Sequence, residues 1–420
     1  MSGDLAYEEA LAIVLREARA LAVEQRAPQD AQGLVLAEAV ASEVDLPPFD
    51  NSAMDGFALR AAGETLAAGR EFDVRGSQVA GDAAATAGEG AWEIMTGARM
   101  PDGLDSVVPI ERVEILARTG EARPSRIRLA ADVRPGDNVR LRGEDIASGA
   151  PAVPAGRRIG ANELMVLASL GVPSIAVRRR VRVAIINTGR ELVDDPAQPL
   201  ASGEIRNSNG PYLAARVEAA GAEVVLRETV TDEPEVFLAV LERALAAGAD
   251  VVLSTGAVSM GRHDFVPDAL RGVGADILFH KVRIRPGRPL LFARLASGAL
   301  FFGLPGNPAS GAVGFRFFTE AALRAMSGMA PERPLRMPLA AAWSKRAELR
   351  FHLKGLVELV DGGLRARVLK GQESFKVLPL LVANAWIVVP AESMALEAGQ
   401  MVDVYGPGHL EAPMIGEVLE

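Results

Sequence analysis

Lys281, Arg283, Arg285 and Arg288 crowd into one short segment, KVRIRPGRP, of a chain whose net charge is −9. Read as a strand, the segment places Lys281, Arg283 and Arg285 on one face, with Val282 and Ile284 on the other. Arg288 follows after a Pro-Gly turn. Arginine offers a planar fork matched to phosphate or another oxoanion, and lysine a point charge. A solvated edge strand guarded by charge is the competing reading. Some fifteen residues on comes GLPGNPASGAVGF (303–315), between an apolar β-like run, Ala299 to Phe302, and a helix expected over Pro308 to Met326. Asn307 is a natural N-cap, and Pro308 suits the first helical position. Free N–H groups and the positive helix end would favour an anion at Pro305, Gly306, Asn307 and Pro308. A rigid turn is the alternative.

Carboxylates supply the opposite charge. PPFDNSAMDGFAL (47–59) carries Asp55 at a tight Asp-Gly turn, and RPGDNVRLRGEDIASGA (134–150) carries Asp145. Paired with the cations, the two are candidates for holding a divalent metal or a hydrated oxoanion, and carboxylates with water suit magnesium. Three further polar runs follow apolar strands: NTGREL (187–192), TVTDEP (229–234) and STGAVSMGRHDF (254–265). In open α/β sheets ligands lie beyond the carboxyl ends of strands, although Asp, Ser and Gly also populate ordinary turns.

Several chemistries are excluded. The chain has no cysteine, which removes disulfides, thiolate–zinc sites and a cysteine nucleophile. His263, His280, His352 and His409 show no metal-ligand spacing, and His280 reads as a packing residue. GxGxxG, GxxxxGK[ST] and GxSxG are missing. The acidic balance argues against a nucleic-acid partner. No apolar run approaches a membrane span, and the amino-terminal stretch lacks a signal peptide's basic region. The expected location is cytoplasmic.

The elements that must position these residues fall into four parts, since 420 residues exceed one core. Residues 1–44 and 146–177 read as a discontinuous, mixed helical linker domain, with Leu5, Leu11, Ile13, Val14 and Leu21 at helical spacing and a second helix over Ala161 to Leu170. Residues 45–145 read as an inserted β-rich domain. Residues 178–328 alternate strand and helix, with strands expected at 181–187, 222–230, 249–255 and 275–285, which predicts an α/β domain with a mostly parallel sheet. Residues 329–420 read as a C-terminal β-barrel domain.

These segments, in this order, resemble the MoeA family of molybdopterin molybdenumtransferases, related to the E domain of gephyrin. The match runs through PPFDNSAMDGFAL, IMTGARMPDG (94–103), NVRLRGEDI (138–146), NTGREL, GEIRNSN (203–209), STGAVSMGRHDF, RIRPGRP and GLPGNP. The resemblance implies an elongated homodimer, with a cleft between the α/β domain of one subunit and the β domain of the other. It implies binding of adenylylated molybdopterin, hydrolysis of its phosphoanhydride, insertion of molybdate at the dithiolene sulfurs and release of AMP. Carried over motif by motif, Asp55, Glu191, Asp232, Asp264, Lys281 and Arg285 become the catalytic candidates. Thr96, Asp145, Ser259, Arg288 and the 305–308 turn become the substrate contacts, and Glu191 and Asp264 the Mg2+ ligands. The preceding adenylyltransferase and downstream cofactor-handling proteins are the further partners it implies. Arg190, Ala257, Arg285, Arg288 and Glu373 depart from the family pattern. A pterin-binding or scaffold paralogue with altered catalysis is therefore the alternative function.

Overall fold

The strand Arg182–Thr188 is central to the molecule, and its run Val183 to Ile186 is wholly buried, as a parallel strand covered on both faces requires. The computed structural model describes residues 4–257 and 265–415. Around this strand a six-stranded sheet runs in the order Glu223–Val230, Arg182–Thr188, Val251–Thr255, Leu300–Leu304, Leu291–Arg294, Asp276–His280. The first four strands run parallel, Leu291–Arg294 runs against them, and Asp276–His280 runs against it in turn. Alternate residues feed two cores. Val183, Ile185 and Leu253 pack with Leu213 and Val217 of the helix Asn209–Ala219. Ala184, Ile186 and Val252 pack with Phe237 and Leu241 of the helix Pro234–Ala246.

Two expectations need correction here. The strand expected over 275–285 stops at His280, because Lys281 takes φ +97, a left-handed conformation that breaks the ladder. Val282 then bridges Leu5, and Ile284–Arg285 pairs with Arg350–Val360 of the C-terminal domain. The first helix ends at Glu17, and its Tyr7, Ala10 and Val14 bury in the α/β core rather than in a separate linker core. After it the chain becomes a strand, Val23–Arg26, paired antiparallel with Ile175–Arg178. The helix from Pro308 to Met326 is continuous but contains a π turn at Phe315–Thr319.

Between the two halves of that linker lies a β-rich region with a six-stranded mixed sheet. Gly56 sits in it where a Cβ would come within 2.0 Å of the Val108 carbonyl, so only glycine fits. The C-terminal sheet curls until Ala366 bridges Leu339, with the Ala340 N–H on the Ala366 carbonyl at 2.8 Å. A buried polar network fastens this end of the chain. Glu320 accepts Arg216 at 2.9 Å and the His409 N–H at 2.7 Å, while Arg316 forks onto Glu332 at 2.9 and 2.7 Å. Among the described residues no helix is long and apolar enough to cross a membrane.

Candidate active site at the carboxyl edge of the sheet

Four parallel strands end side by side at Thr188, Val230, Thr255 and Leu304. Their ends are cross-linked by polar groups. Asn187 donates from Nδ2 to Thr255 Oγ1 at 2.5 Å, and Thr188 Oγ1 donates to the Thr255 carbonyl at 3.2 Å. The chain can turn away from Thr255 only because Gly256 follows. Its φ is +92, and a Cβ there would stand 2.4 Å from the Thr188 carbonyl. Ala257 then also takes a left-handed φ of +48, a conformation costing an L residue roughly 1–2 kcal/mol. Ser259 and Asp264 lie outside the described residues.

Asp232 meets the NTGREL turn, its Oδ2 accepting the Arg190 N–H at 3.4 Å. Glu191 folds back so closely that a Cβ on Gly189 would meet its Oε2 at 2.7 Å. Its carboxylate carries no ion pair among the described residues. The Ile205 N–H on the Glu191 carbonyl, at 2.8 Å, holds GEIRNSN beside this turn. Asn209 of that motif donates from Nδ2 to the Gly306 carbonyl at 2.8 Å. NTGREL, GEIRNSN and GLPGNP therefore form one edge: the first and last follow strands of the sheet, as expected, whereas GEIRNSN leads into the helix Asn209–Ala219.

The anion-binding helix start is corrected. Pro308 has no N–H, the Ala309 N–H goes to the Ser374 carbonyl at 2.9 Å, and Ser310 and Gly311 both donate to the Asn307 carbonyl at 3.0 Å. What faces solvent is Gly306 and Asn307, with Pro305 buried beneath. Ser374 is held there by Lys354, 1% exposed, whose Nζ donates to the Glu373 carbonyl at 3.2 Å and the Lys376 carbonyl at 3.4 Å. Glu373 itself pairs with Lys376 at 3.0 Å.

The cation wall is corrected in part. Burial still alternates, with Val282 and Ile284 inside and Arg283 and Arg285 exposed. Yet the four charges do not act as one face. Arg288 is paired through Nε with Asp4, Arg283 donates to the Glu348 carbonyl at 3.2 Å, and the Arg285 guanidinium lies 5.6 Å from the Phe351 ring centroid. Lys281 is half-buried. The turn they share still abuts the GLPGNP helix, since a Cβ on Gly287 would sit 3.3 Å from the Ser310 carbonyl.

In the β-rich region Asp55 Oδ1 accepts both the Thr96 N–H at 2.6 Å and the Thr96 hydroxyl at 2.9 Å. These bonds, the backbone one foremost, hold its carboxyl below the usual range. Asp145 is exposed, and the cross-loop carboxylate is instead Asp45, which accepts the Ser148 N–H at 2.8 Å and Arg142 Nε at 2.6 Å. Asp50 accepts the Arg142 N–H at 2.7 Å. Asp45 and Asp50 escaped the sequence reading; the clue was an arginine-rich loop, NVRLRGED, in need of acidic partners. The motifs PPFDN, ARMPDG and NVRLRGED together line a hollow of about 380 Å³ containing Phe49, Asp50, Arg99 and Arg142. No hydrogen bond or ion pair joins Asp55, Thr96 or Asp145 to the strand-end residues among the described residues.

Fold and site define a multidomain α/β protein with β-rich domains, whose polar motifs gather at the carboxyl edge of one sheet and on a second, β-rich face. The chain belongs to the MoeA family. It matches the MoeA N-terminal region (domain I and II) over residues 5–171, a probable molybdopterin binding domain over 184–325 and the MoeA C-terminal region (domain IV) over 336–406. It is 35% identical to a molybdopterin molybdenumtransferase of Synechococcus elongatus, covering 95% of this chain and 99% of that one. With the Bacillus subtilis protein of the same name it shares 34% identity over 90% of this chain and 88% of the relative. The crystal structure of a molybdopterin biosynthesis MoeA protein from Pyrococcus horikoshii superposes with a TM-score of 0.80 at 28% identity, covering 96% of this chain and 99% of that one.

Proposed function

We propose that the chain is a molybdopterin molybdenumtransferase of molybdenum cofactor biosynthesis. It takes adenylylated molybdopterin, cleaves the phosphoanhydride, passes molybdate to the dithiolene sulfurs and releases AMP. The observation that carries this reading is full-length similarity, 35% identical over 99% of a relative so named. The strand-end geometry supports it. Asn187 Oδ1 and Ser254 Oγ are buried there without partners among the described residues, and buried polar atoms ordinarily find one. An edge with polar atoms to spare suits a polar, phosphate-bearing substrate.

In this reading Glu191, with Asp232 beside it, contributes hard oxygen donors of the kind Mg2+ prefers, joined by Asp264 on the family resemblance alone. Glu191 and Asp264 would hold the ion, and Mg2+ would supply polarisation of a phosphoryl oxygen when bound. Gly306 and Asn307, between buried Pro305 and half-buried Pro308, place exposed backbone against the phosphate. Lys281 and Arg285 supply positive charge for the oxoanion, whereas Arg288 reaches substrate only by releasing Asp4. Ser259 is assigned as a substrate contact on the family resemblance alone. Asp55, Thr96 and Asp145 face it from the β-rich domain of a second subunit in a homodimer. The domains divide at 1–44 with 146–177, 45–145, 178–328 and 329–420, save that the first helix, Tyr7–Glu17, packs into the α/β domain. The reaction runs in the cytoplasm, between an adenylyltransferase that supplies the substrate and proteins that accept the finished cofactor.

Purified protein given adenylylated molybdopterin, Mg2+ and molybdate is expected to release AMP, and Asp264→Asn to abolish release. Pterin binding without AMP above background would overturn the enzyme in favour of a scaffold.

A further inference from the structure

At the opposite end of the same sheet, where the parallel strands begin, lies a crevice of about 890 Å³ lined by Glu17, Arg19, Arg179, Arg182, Asp250 and Arg294. We propose that it binds a small phosphate-bearing anion, at a site separate from the strand-end edge and independent of the reaction assigned there. Four arginines face two carboxylates in a protein of net charge −9. Both carboxylates are already engaged. Asp250 takes the Arg179 fork at 2.7 Å on each oxygen and the Arg182 N–H at 2.9 Å, and Glu17 takes Arg294 at 2.7 Å. The guanidinium groups of Arg19 and Arg182 are left without an ion pair or a hydrogen bond among the described residues.

The paired arginines are fixed and the unpaired ones are available, which is the charge arrangement of an anion receptor. Arg182 is half-buried and lies against Gly248, where a Cβ would come within 2.7 Å of its Nη1. Glycine at that point leaves the fork room along the crevice wall. A planar fork matches phosphate oxygens two at a time. The volume falls within the roughly 300–1,000 Å³ range of small-molecule sites. The competing role for Arg182 is to complement the carboxyl end of the helix Pro234–Ala246.

Isothermal titration of the full chain with inorganic pyrophosphate and with AMP separates the two. With the strand-end edge filled by adenylylated molybdopterin, Mg2+ and molybdate being left out, the wild-type chain is expected to bind saturably and Arg19→Gln/Arg182→Gln to lose about tenfold or more in affinity. Tighter binding of AMP identifies a nucleotide as ligand, and tighter binding of pyrophosphate a free polyphosphate. Unchanged affinity in the double variant overturns the site, and a lowered melting temperature with affinity intact assigns Arg182 to the helix end alone. Absence of saturable binding by the wild type at millimolar anion also overturns it. Should the double variant not fold, Arg19→Gln, altered only at an exposed position, carries the test with a severalfold loss expected; no loss there is equally fatal.

Discussion

The Ser374 carbonyl takes the Ala309 N–H at 2.9 Å, so the C-terminal domain seals the helix start that follows GLPGNP. A helix start with its amides spent holds the domains together instead of holding an anion. The strand-end turns around Gly256, Glu191 and Gly306 are left as the exposed backbone of this edge. Their conformation therefore decides what the edge can bind.

Gly256 and Ala257 test that conformation in opposite directions. Gly256→Ala forces a methyl group to 2.4 Å from the Thr188 carbonyl at φ +92, and a loss of about 2–4 kcal/mol in urea unfolding is expected. Ala257→Gly, at φ +48, is expected to gain up to about 1 kcal/mol, the left-handed penalty less glycine's entropy. Destabilisation by Ala257→Gly would mean that residue 257 is not held in the left-handed conformation.

Asp55 is held below the usual carboxylate range first by the Thr96 N–H and second by its hydroxyl. Thr96→Val removes only the second. A carbon-detected titration should find the Asp55 carboxyl shifted upward in the variant yet still below its ordinary value. A full return to that value would mean the backbone bond is not the main cause.

His352 is 1% exposed, sits 4.2 Å from the Phe317 ring centroid, and has neither ring nitrogen bonded among the described residues. Burial, then the charges of Arg350 and Arg316, push its imidazole well below the usual range. His409 is likewise pushed down to about 3 by burial and Arg324. The unfolded chain binds these protons near pH 6.5 and the folded chain does not, so the two histidines withdraw stability as pH drops below about 6.5, against the opposite contribution of buried Glu320, whose carboxyl is pushed up to about 7. For His409 the window runs down to about 3. His352→Phe should flatten the dependence by one proton, about 1.4 kcal/mol per pH unit. An unchanged slope of unfolding free energy against pH would refute it.

A site shared between subunits predicts complementation. Asp55→Ala and Glu191→Gln are each expected to lack AMP release. Mixed, unfolded together and refolded, they should recover about one quarter of wild-type activity, from heterodimers with one intact cleft. No recovery would place both residues in one subunit's site.

Much of this architecture was legible in the sequence. The strand–helix alternation predicted the sheet, and polar runs after apolar strands predicted its edge, because both follow from local burial periodicity. The break at Lys281 was not legible: Val282 and Ile284 keep the inside–outside alternation of a strand while their backbones join different partners. The fate of the Ala309 amide was hidden for a similar reason, since Ser374 arrives from another domain and leaves no local pattern. Arg288 looked free because its partner, Asp4, lies at the far end of the chain.

The same remoteness governs how the chain is made. Tyr7, Ala10 and Val14 have their packing partners around Val282 and Phe318, so the first helix leaves the ribosome with its apolar face uncovered. At ordinary elongation rates the wait for Val282 lasts on the order of tens of seconds. The central domain thus completes its fold only by recapturing a helix made long before the residues that cover it.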